Sequence, residues 1–376
     1  MQSDQCDVLI TYSWNRVGYN ILRSLTEHGL KVWAADTSKC NICSVSKFCA
    51  GTFQYPDPFA KEDDFISVLK SKVLELHPKV LLPTHDEALI ILKHKNVFPD
   101  DLIIPYPDYQ TVLKLSNKAA ATKIANAVGV PIPKIYKSIA EVESYPVVLK
   151  KVMGNSAKGV FFPKNKDELI RLTRQLGNED VLLEEWVGGS DYSVDCIRWG
   201  SFYQGSVYHA LITKTKGGGT TTQREIVSFP ELVEFAKIIL EEVDYNGVCG
   251  MDFRYDPLSK SVAFIEVNAR YTGGLATPIA ANFDIPWIHY CLATCGKYEQ
   301  PIKIKIGTKT KWILGDIISL VDRLLHLKLN RKELGQICRF RGFDVYDDYR
   351  NDDKKAILGE MMYYLGKLIK NRKLNP

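Results

Sequence analysis

Met251-Asp252-Phe253-Arg254-Tyr255, a short link, and then Phe264-Ile265-Glu266-Val267-Asn268-Ala269-Arg270 decide how this chain reads. Both segments alternate in the manner of half-buried strands. The link Asp256-Pro257-Leu258-Ser259-Lys260 is rich in turn formers, so the pair predicts a hairpin. Glu266 and Asn268 stand two apart and share one face of their strand. A pairing register with an even residue sum puts Asp252 on that face too. Two carboxylates and an amide oxygen then converge beside Arg270. Such hard oxygen ligands suit magnesium, with manganese as an alternative, because the ion takes one or two carboxylates together with substrate phosphates. A polar hairpin facing solvent is the plainer alternative. It gives no reason for Glu-x-Asn-x-Arg to lie between apolar runs and the Gly273-Gly274 turn.

A chain of 376 residues exceeds the usual single-core limit, so two or three domains are expected. Hydrophobic residues at 45% and charged residues at 25% are ordinary for a globular protein. A net charge of +5, from 49 basic and 44 acidic residues, offers no clustered basic stripe and argues against a nucleic-acid partner. Met1 to Asp7 lacks the basic start and apolar core of a secretion signal, and no apolar run approaches membrane-spanning length. The expectation is a cytoplasmic protein without stable membrane insertion. Nine scattered cysteines then read as free thiols. Cys40, Cys43 and Cys49 form the one cluster, which without a second Cys-x-x-Cys pair is a weak zinc signal.

From Cys6 to about Leu115, strands (Val8–Thr11, Lys31–Asp36, Val80–Pro83) alternate with helices (Gly18–His28, Asp64–Leu76). This predicts a doubly wound parallel sheet. Asp36 stands where a ribose-binding acid would, but the first turn, Thr11 to Gly18, lacks the glycines a pyrophosphate requires. Next come a helix over 117–128, a strand over 146–151 that runs into Gly154-Asn155-Ser156-Ala157-Lys158-Gly159, a helix over 166–176 and a strand over 180–187. Strands dominate from 190 to 270, so the class is α/β followed by α+β. Amphipathic helices over 312–329 and 352–369, with basic flanks, either pack on the body or lie in a membrane interface.

The Gly154–Gly159 turn can present backbone N–H groups to phosphate, flanked by Lys150 and Lys158. A phosphate loop, then a hinge strand (Glu184-Glu185-Trp186-Val187-Gly188-Gly189-Ser190-Asp191), then a carboxylate hairpin is the order a magnesium–ATP site needs. The order Lys118, Lys150, the Gly154–Gly159 loop, Glu184 to Asp191, Asp252, Glu266, Asn268 resembles the ATP-grasp ligases over roughly residues 1–300. Within that family the chain is most similar to the carbamoyl phosphate synthetase, biotin carboxylase and D-aspartate ligase branches.

The resemblance implies a leading domain (1–115), a small ATP-grasp lobe (116–187), a catalytic lobe (188–302) and a C-terminal, mainly helical extension (303–376). It implies that Lys118 and Lys150, with the loop residues Ser156, Lys158 and Gly159, meet ATP phosphates. Glu184 belongs to the nucleotide-binding strand. Backbone groups of Glu185 and Val187 would read adenine, lodged between the Lys150 strand and the Glu184–Val187 strand. Asp191, one methylene shorter than the usual glutamate, would meet the ribose. Asp252, Glu266 and Asn268 would hold magnesium, and Arg270 would steady the acyl-phosphate and the acceptor carboxylate. D-alanine–D-alanine ligases carry an arginine two residues before the first metal carboxylate, a position that is Gly250 here.

Thr213 to Arg224, with three glycines followed by three threonines, predicts a mobile loop. As a lid it would bring Lys216 and Arg224 to the substrate. Pro83-Thr84-His85-Asp86-Glu87 ends a strand of the leading sheet, where open α/β sheets bind ligands. Helix capping by Thr84 or Asp86 explains the same residues. The activity implied is ligation of a small-molecule carboxylate to a small-molecule amine through an acyl-phosphate, with a homodimer allowed. The alternatives are carbamoyl-phosphate-type activation of bicarbonate and a non-catalytic nucleotide-binding protein.

Overall fold

The computed structural model describes residues 5–154, 159–215, 218–325 and 331–371. Four parallel strands, β1 (Val8–Thr11), β2 (Val32–Asp36), β3 (Gly51–Gln54) and β4 (Val80–Pro83), form the leading sheet in the order β3-β2-β1-β4. Every residue of β1 and β4 is buried, as strands covered on both faces by crossover helices must be. Asn15 starts the helix Arg16–Glu27 by accepting the N–H groups of Val17 and Gly18. Asp36 is buried and accepts the backbone N–H groups of Trp14 and Ser38. Its oxygens therefore shape the first turn.

A small lobe of three antiparallel strands follows: β5 (Val147–Lys151), β6 (Val160–Phe161) and β7 (Val181–Glu185), in the order β6-β5-β7. Val147, Leu149 and Leu183 pack against Leu169 and Leu172 of the helix Lys166–Leu176, a core of its own. The largest sheet has seven strands in the order β12-β11-β8-β9-β10-β13-β14. They are β8 (Ser190–Trp199), β9 (Phe202–Thr215), β10 (Gly218–Val227), β11 (Gly247–Asp256), β12 (Ser261–Asn268), β13 (Lys309–Lys311) and β14 (Val345–Tyr346). This sheet and the leading sheet share one continuous hydrophobic core, from Val8 and Leu81 to Met251 and Leu292. The two halves are thus held together by burial.

The stretch expected to be a mobile lid is ordered at both ends of its tip. β9 and β10 pair antiparallel, with register shifts between Gly218 and Arg224. Threonine is β-branched and favours an extended backbone. The helix Ile313–Leu325 also holds the hairpin, as Ser319 and Arg323 both donate to the Thr213 carbonyl. That helix, together with Arg331–Ile337 and Lys355–Asn371, makes the C-terminal segment mainly helical. It also adds β13 and β14 to the large sheet. Among the described residues no helix is long and apolar enough to cross a membrane.

The last helix returns to the leading domain. Tyr363 stacks on Trp14 with ring centroids 4.6 Å apart. Just before it, Asp353 accepts hydrogen bonds from the hydroxyls of Tyr19 and Ser46, all three residues being buried. Replacing Asp353 by Ala leaves two buried hydroxyls without an acceptor. The expected loss is about 2–3 kcal/mol, read as a lower urea midpoint with an unchanged slope.

Candidate functional site

In the hairpin β11–β12, Asp252 lies directly opposite Glu266, and Gly250 opposite Asn268. This is the even-sum register, so the two carboxylates and the amide share a face. The register shifts between Asp252 and Phe253, and Phe253 pairs with Phe264. Asp252 accepts from the Ser193 hydroxyl on the neighbouring β8 and, at 3.1 Å, from Asn268 Nδ2. Two lysines supply positive charge, one from the main core and one from the small lobe. Lys118 opens the helix Lys118–Ala127, capped by Asn117, and its Nζ lies 3.3 Å from Glu266 Oε2. It also donates to the Gly154 carbonyl. Lys150 Nζ sits 2.8 Å from Glu184 Oε2 and donates to the Ile265 carbonyl at 3.0 Å, which ties β5 to β12. Lys118, Lys150, Glu184, Asp252, Glu266 and Asn268 are therefore brought together. His85, Asp86, Lys118, Glu266 and Asn268 line one cavity between the leading domain and the hairpin.

Burial, followed by the facing Glu266, pushes the Asp252 carboxyl up to about 7. Burial also raises Glu184, against the pull of Lys150. Two opposed carboxylates with an amide alongside fit a magnesium ion that takes its remaining oxygens from phosphates and water. No cluster of three or more His, Cys, Asp or Glu stands ready for a metal among the described residues.

Other candidates are placed differently. β5 and β7 are hydrogen-bonded neighbours, Val148 pairing with Glu184, so a base can lie against their sheet but not between the two strands. The Glu185 N–H is given to the Lys134 carbonyl, and its side chain accepts from the Lys134 N–H. Val187 lies in the connection between β7 and β8. Asp191 accepts from Arg254 at 2.7 Å, and Arg254 also donates to the Gly188 and Gly189 carbonyls, which pins this hinge. Gly159 adopts φ +81° and accepts the Lys151 N–H, as only a residue without Cβ does readily. Ser156, Lys158 and Lys216 lie outside the described residues.

Arg224 is fully buried on β10, 2.8 Å from Asp347, rather than on an open lid. The strand ends at Asn268, whose carbonyl accepts the Arg270 N–H in a tight turn, and Arg270 lines the same cavity as Glu266 and Asn268. Its Nε donates to Asp86 at 2.6 Å, which joins the leading domain to the hairpin. Asp86 does not cap its helix through its side chain. Burial alone would raise the Asp86 carboxyl, but Arg270 and His85 outweigh that and hold it well below the usual range. The carbonyl of Gly273 accepts from Arg16 and Arg224, so the Gly273-Gly274 turn presents a carbonyl to positive charge. Ser193 goes unnoticed in the sequence, and Asp86 stands out there as a strand-end residue but not as the partner of Arg270. Ser193 carries a strand-alternation signal, two residues after Asp191, whereas Asp86 carries one only as the end of a parallel strand.

Residues 115–274 match the family model of the ATP-grasp domain. A D-alanine–D-alanine ligase from Fusobacterium nucleatum is 26% identical over 163 residues, covering 41% of this chain and 55% of that enzyme. The chain thus spans about half the length of this curated relative. The biotin carboxylase domain of Hydrogenobacter thermophilus 2-oxoglutarate carboxylase, solved with MgADP and bicarbonate, superposes with TM-score 0.65 at 16% identity, over 81% of this chain and 73% of that one. An L-amino acid ligase from Bacillus licheniformis gives 0.64 at 16% identity, over 80% and 78%. At these identities the superpositions establish the fold.

The raised Asp252 carboxyl gives a signed pH dependence. Unfolded, it titrates near 4; folded, near 7. The folded chain holds the proton more tightly, so this stabilisation is complete below pH 4 and is lost as pH rises through 7. Metal-free protein should unfold at lower urea at pH 8 than at pH 5, and Asp252→Asn should reduce that difference, the remainder coming from Glu87, whose carboxyl burial also pushes up to about 7.

Proposed function

We propose that this chain, whose residues 115–274 belong to the ATP-grasp family, joins a small-molecule carboxylate to an amine with ATP cleaved to ADP and phosphate. One observation carries the reading. Asp252 and Glu266 face each other across a hairpin, with Asn268 on their face and Lys118 at 3.3 Å from Glu266. Opposed, partly buried carboxylates have no structural use that two apolar residues would not serve better. Together with Lys118 and Lys150, they make sense as a holder for a metal and a polyphosphate.

In this reading Asp252, Glu266 and Asn268 would hold magnesium, and Lys118 and Lys150 would meet the phosphates. Bound there, ATP and magnesium supply the phosphoryl group and neutralise its charge. Lys118, which rests against Glu266, would hold a phosphate oxygen. Lys150, kept in place by Glu184, holds its ammonium against the same face. Arg270, fixed by Asp86, keeps a buried positive charge on the wall of the cavity that Glu266 and Asn268 also line, where an acyl-phosphate and the tetrahedral species after amine attack would be anionic.

The test is ADP release from full-length protein supplied with ATP, magnesium and mixed carboxylic acids and amines, beside bicarbonate with ammonia. Glu266→Gln keeps the shape but halves the charge of the carboxylate pair. ADP release should fall by about 100-fold or more, with urea stability kept or raised. A Glu266→Gln protein with undiminished ADP release would refute the metal assignment.

A further inference from the structure

The C-terminal segment is charged unlike the rest of the chain. Residues 303–376 carry 17 Lys and Arg against 9 Asp and Glu, a surplus of eight, whereas the whole chain has a net charge of +5. The first 302 residues are therefore slightly acidic. Five of the segment's acids, Asp316, Asp347, Asp348, Asp353 and Glu360, are buried. They serve the interior. Asp316 meets Lys311, Asp348 accepts the N–H groups of Ile313 and Leu314, and Asp347 and Asp353 bind the leading domain. Of the segment's cations, Lys311 and Arg323 are the buried ones among the described residues. What remains at its surface is basic, with Lys354 and Lys355 exposed at the start of the last helix.

The two long helices of this segment turn one apolar face inward and leave a second one in water. The helix Lys355–Asn371 buries Ala356, Tyr363 and Tyr364, yet Leu358, Met361, Met362, Leu365 and Ile369 are 46–75% exposed. Steps of three and four residues place these five on a single stripe. Met362 marks its edge, with Sδ 3.8 Å from Cys40 Sγ of the leading domain. The helix Ile313–Leu325 repeats the pattern. Leu314 and Ile318 join Trp312, Tyr363 and Tyr364 in one buried cluster, while Ile317, Val321 and Leu324 are exposed at the same spacing. Ile317 adjoins Ile318, and Met361 and Leu365 flank Tyr364, so each stripe borders that cluster. Apolar stripes left in water and rimmed by charge mark an interaction surface.

We infer that the outer face of these helices docks on the surface of an anionic lipid bilayer. The leucine, isoleucine and methionine side chains enter the boundary between headgroups and acyl chains, and the flanking lysines and arginines meet lipid phosphates. Charge selects this occupant over a second copy of the chain. A symmetric dimer through this face would set one basic segment against another, whereas an anionic leaflet offers the opposite sign. Among the described residues no helix is long and apolar enough to cross a membrane, so the chain lies on the bilayer and leaves it reversibly. The residues lining the Glu266 cavity all precede the segment, so the inference is independent of the ligase reading.

The test floats full-length protein with vesicles of phosphatidylcholine, either alone or with about 30% phosphatidylglycerol. Binding to the anionic vesicles should exceed binding to the neutral ones at least about tenfold, and about 0.5 M salt should weaken it by a similar factor. Leu358→Ser combined with Leu365→Ser changes two exposed positions of one stripe. This double variant should bind anionic vesicles about tenfold or more weakly, with its urea midpoint unchanged. No binding to anionic vesicles, equal binding to both kinds, or full binding by the double variant would each overturn the inference. So would a wild-type dimer in sedimentation that the double substitution dissociates, since a second copy would then cover the face. Should the double variant fail to fold, hydrogen exchange of the wild-type protein decides. Slower exchange across residues 355–371 with anionic vesicles supports the docking, and unchanged exchange there refutes it.

Discussion

Two carboxylates placed directly opposite each other on adjacent strands repel, and much around them can be understood as compensation. Asp252 and Glu266 are in that position. Ser193 and Asn268 donate to one and Lys118 approaches the other. Lys150 crosses from the small lobe to a β12 carbonyl, held straight by Glu184. Each of these groups comes from a different strand or helix, so the opposed pair dictates where the small lobe must sit on the large sheet.

The C-terminal segment extends the same logic to the rest of the molecule. Asp347 meets Arg16 and Arg224, Asp352 meets Arg23, and Asp353 meets Tyr19 and Ser46. Three acids within seven residues therefore bind groups of the leading domain. Exposed Asp352 contributes little, since water competes for both partners. Asp347 and Asp353 are buried, so their partners have no substitute in solvent. The segment is a strap across the two larger units.

What was legible in the sequence follows from period. Alternation by two put Asp252, Glu266 and Asn268 on one face, and apolar runs between helices gave the parallel sheet. Both signals live within ten or so residues. The partners of Arg270 and Arg224 do not: Asp86 is 184 residues from the first and Asp347 is 123 from the second. No local pattern announces such pairs. Arg270 does line the cavity with Glu266 and Asn268, although the strand itself ends at Asn268 and a tight turn carries the chain on. The glycine–threonine run was read as a loop because glycine dominates local turn propensity. Packing against the helix Ile313–Leu325 and β-branching decided otherwise.

The register shift after Asp252 has a mechanical meaning. On one side of it Ser193 and Asn268 hold Asp252 in place; on the other, Phe253 faces Phe264 and the hairpin runs out to the turn at Asp256–Lys260. A bulge takes up length on one strand only. Motion or lengthening at the exposed turn is therefore absorbed before it reaches the carboxylates. The hairpin behaves as a damped lever whose tip can be rebuilt, by mutation or by a bound partner, without retuning the distances at its root.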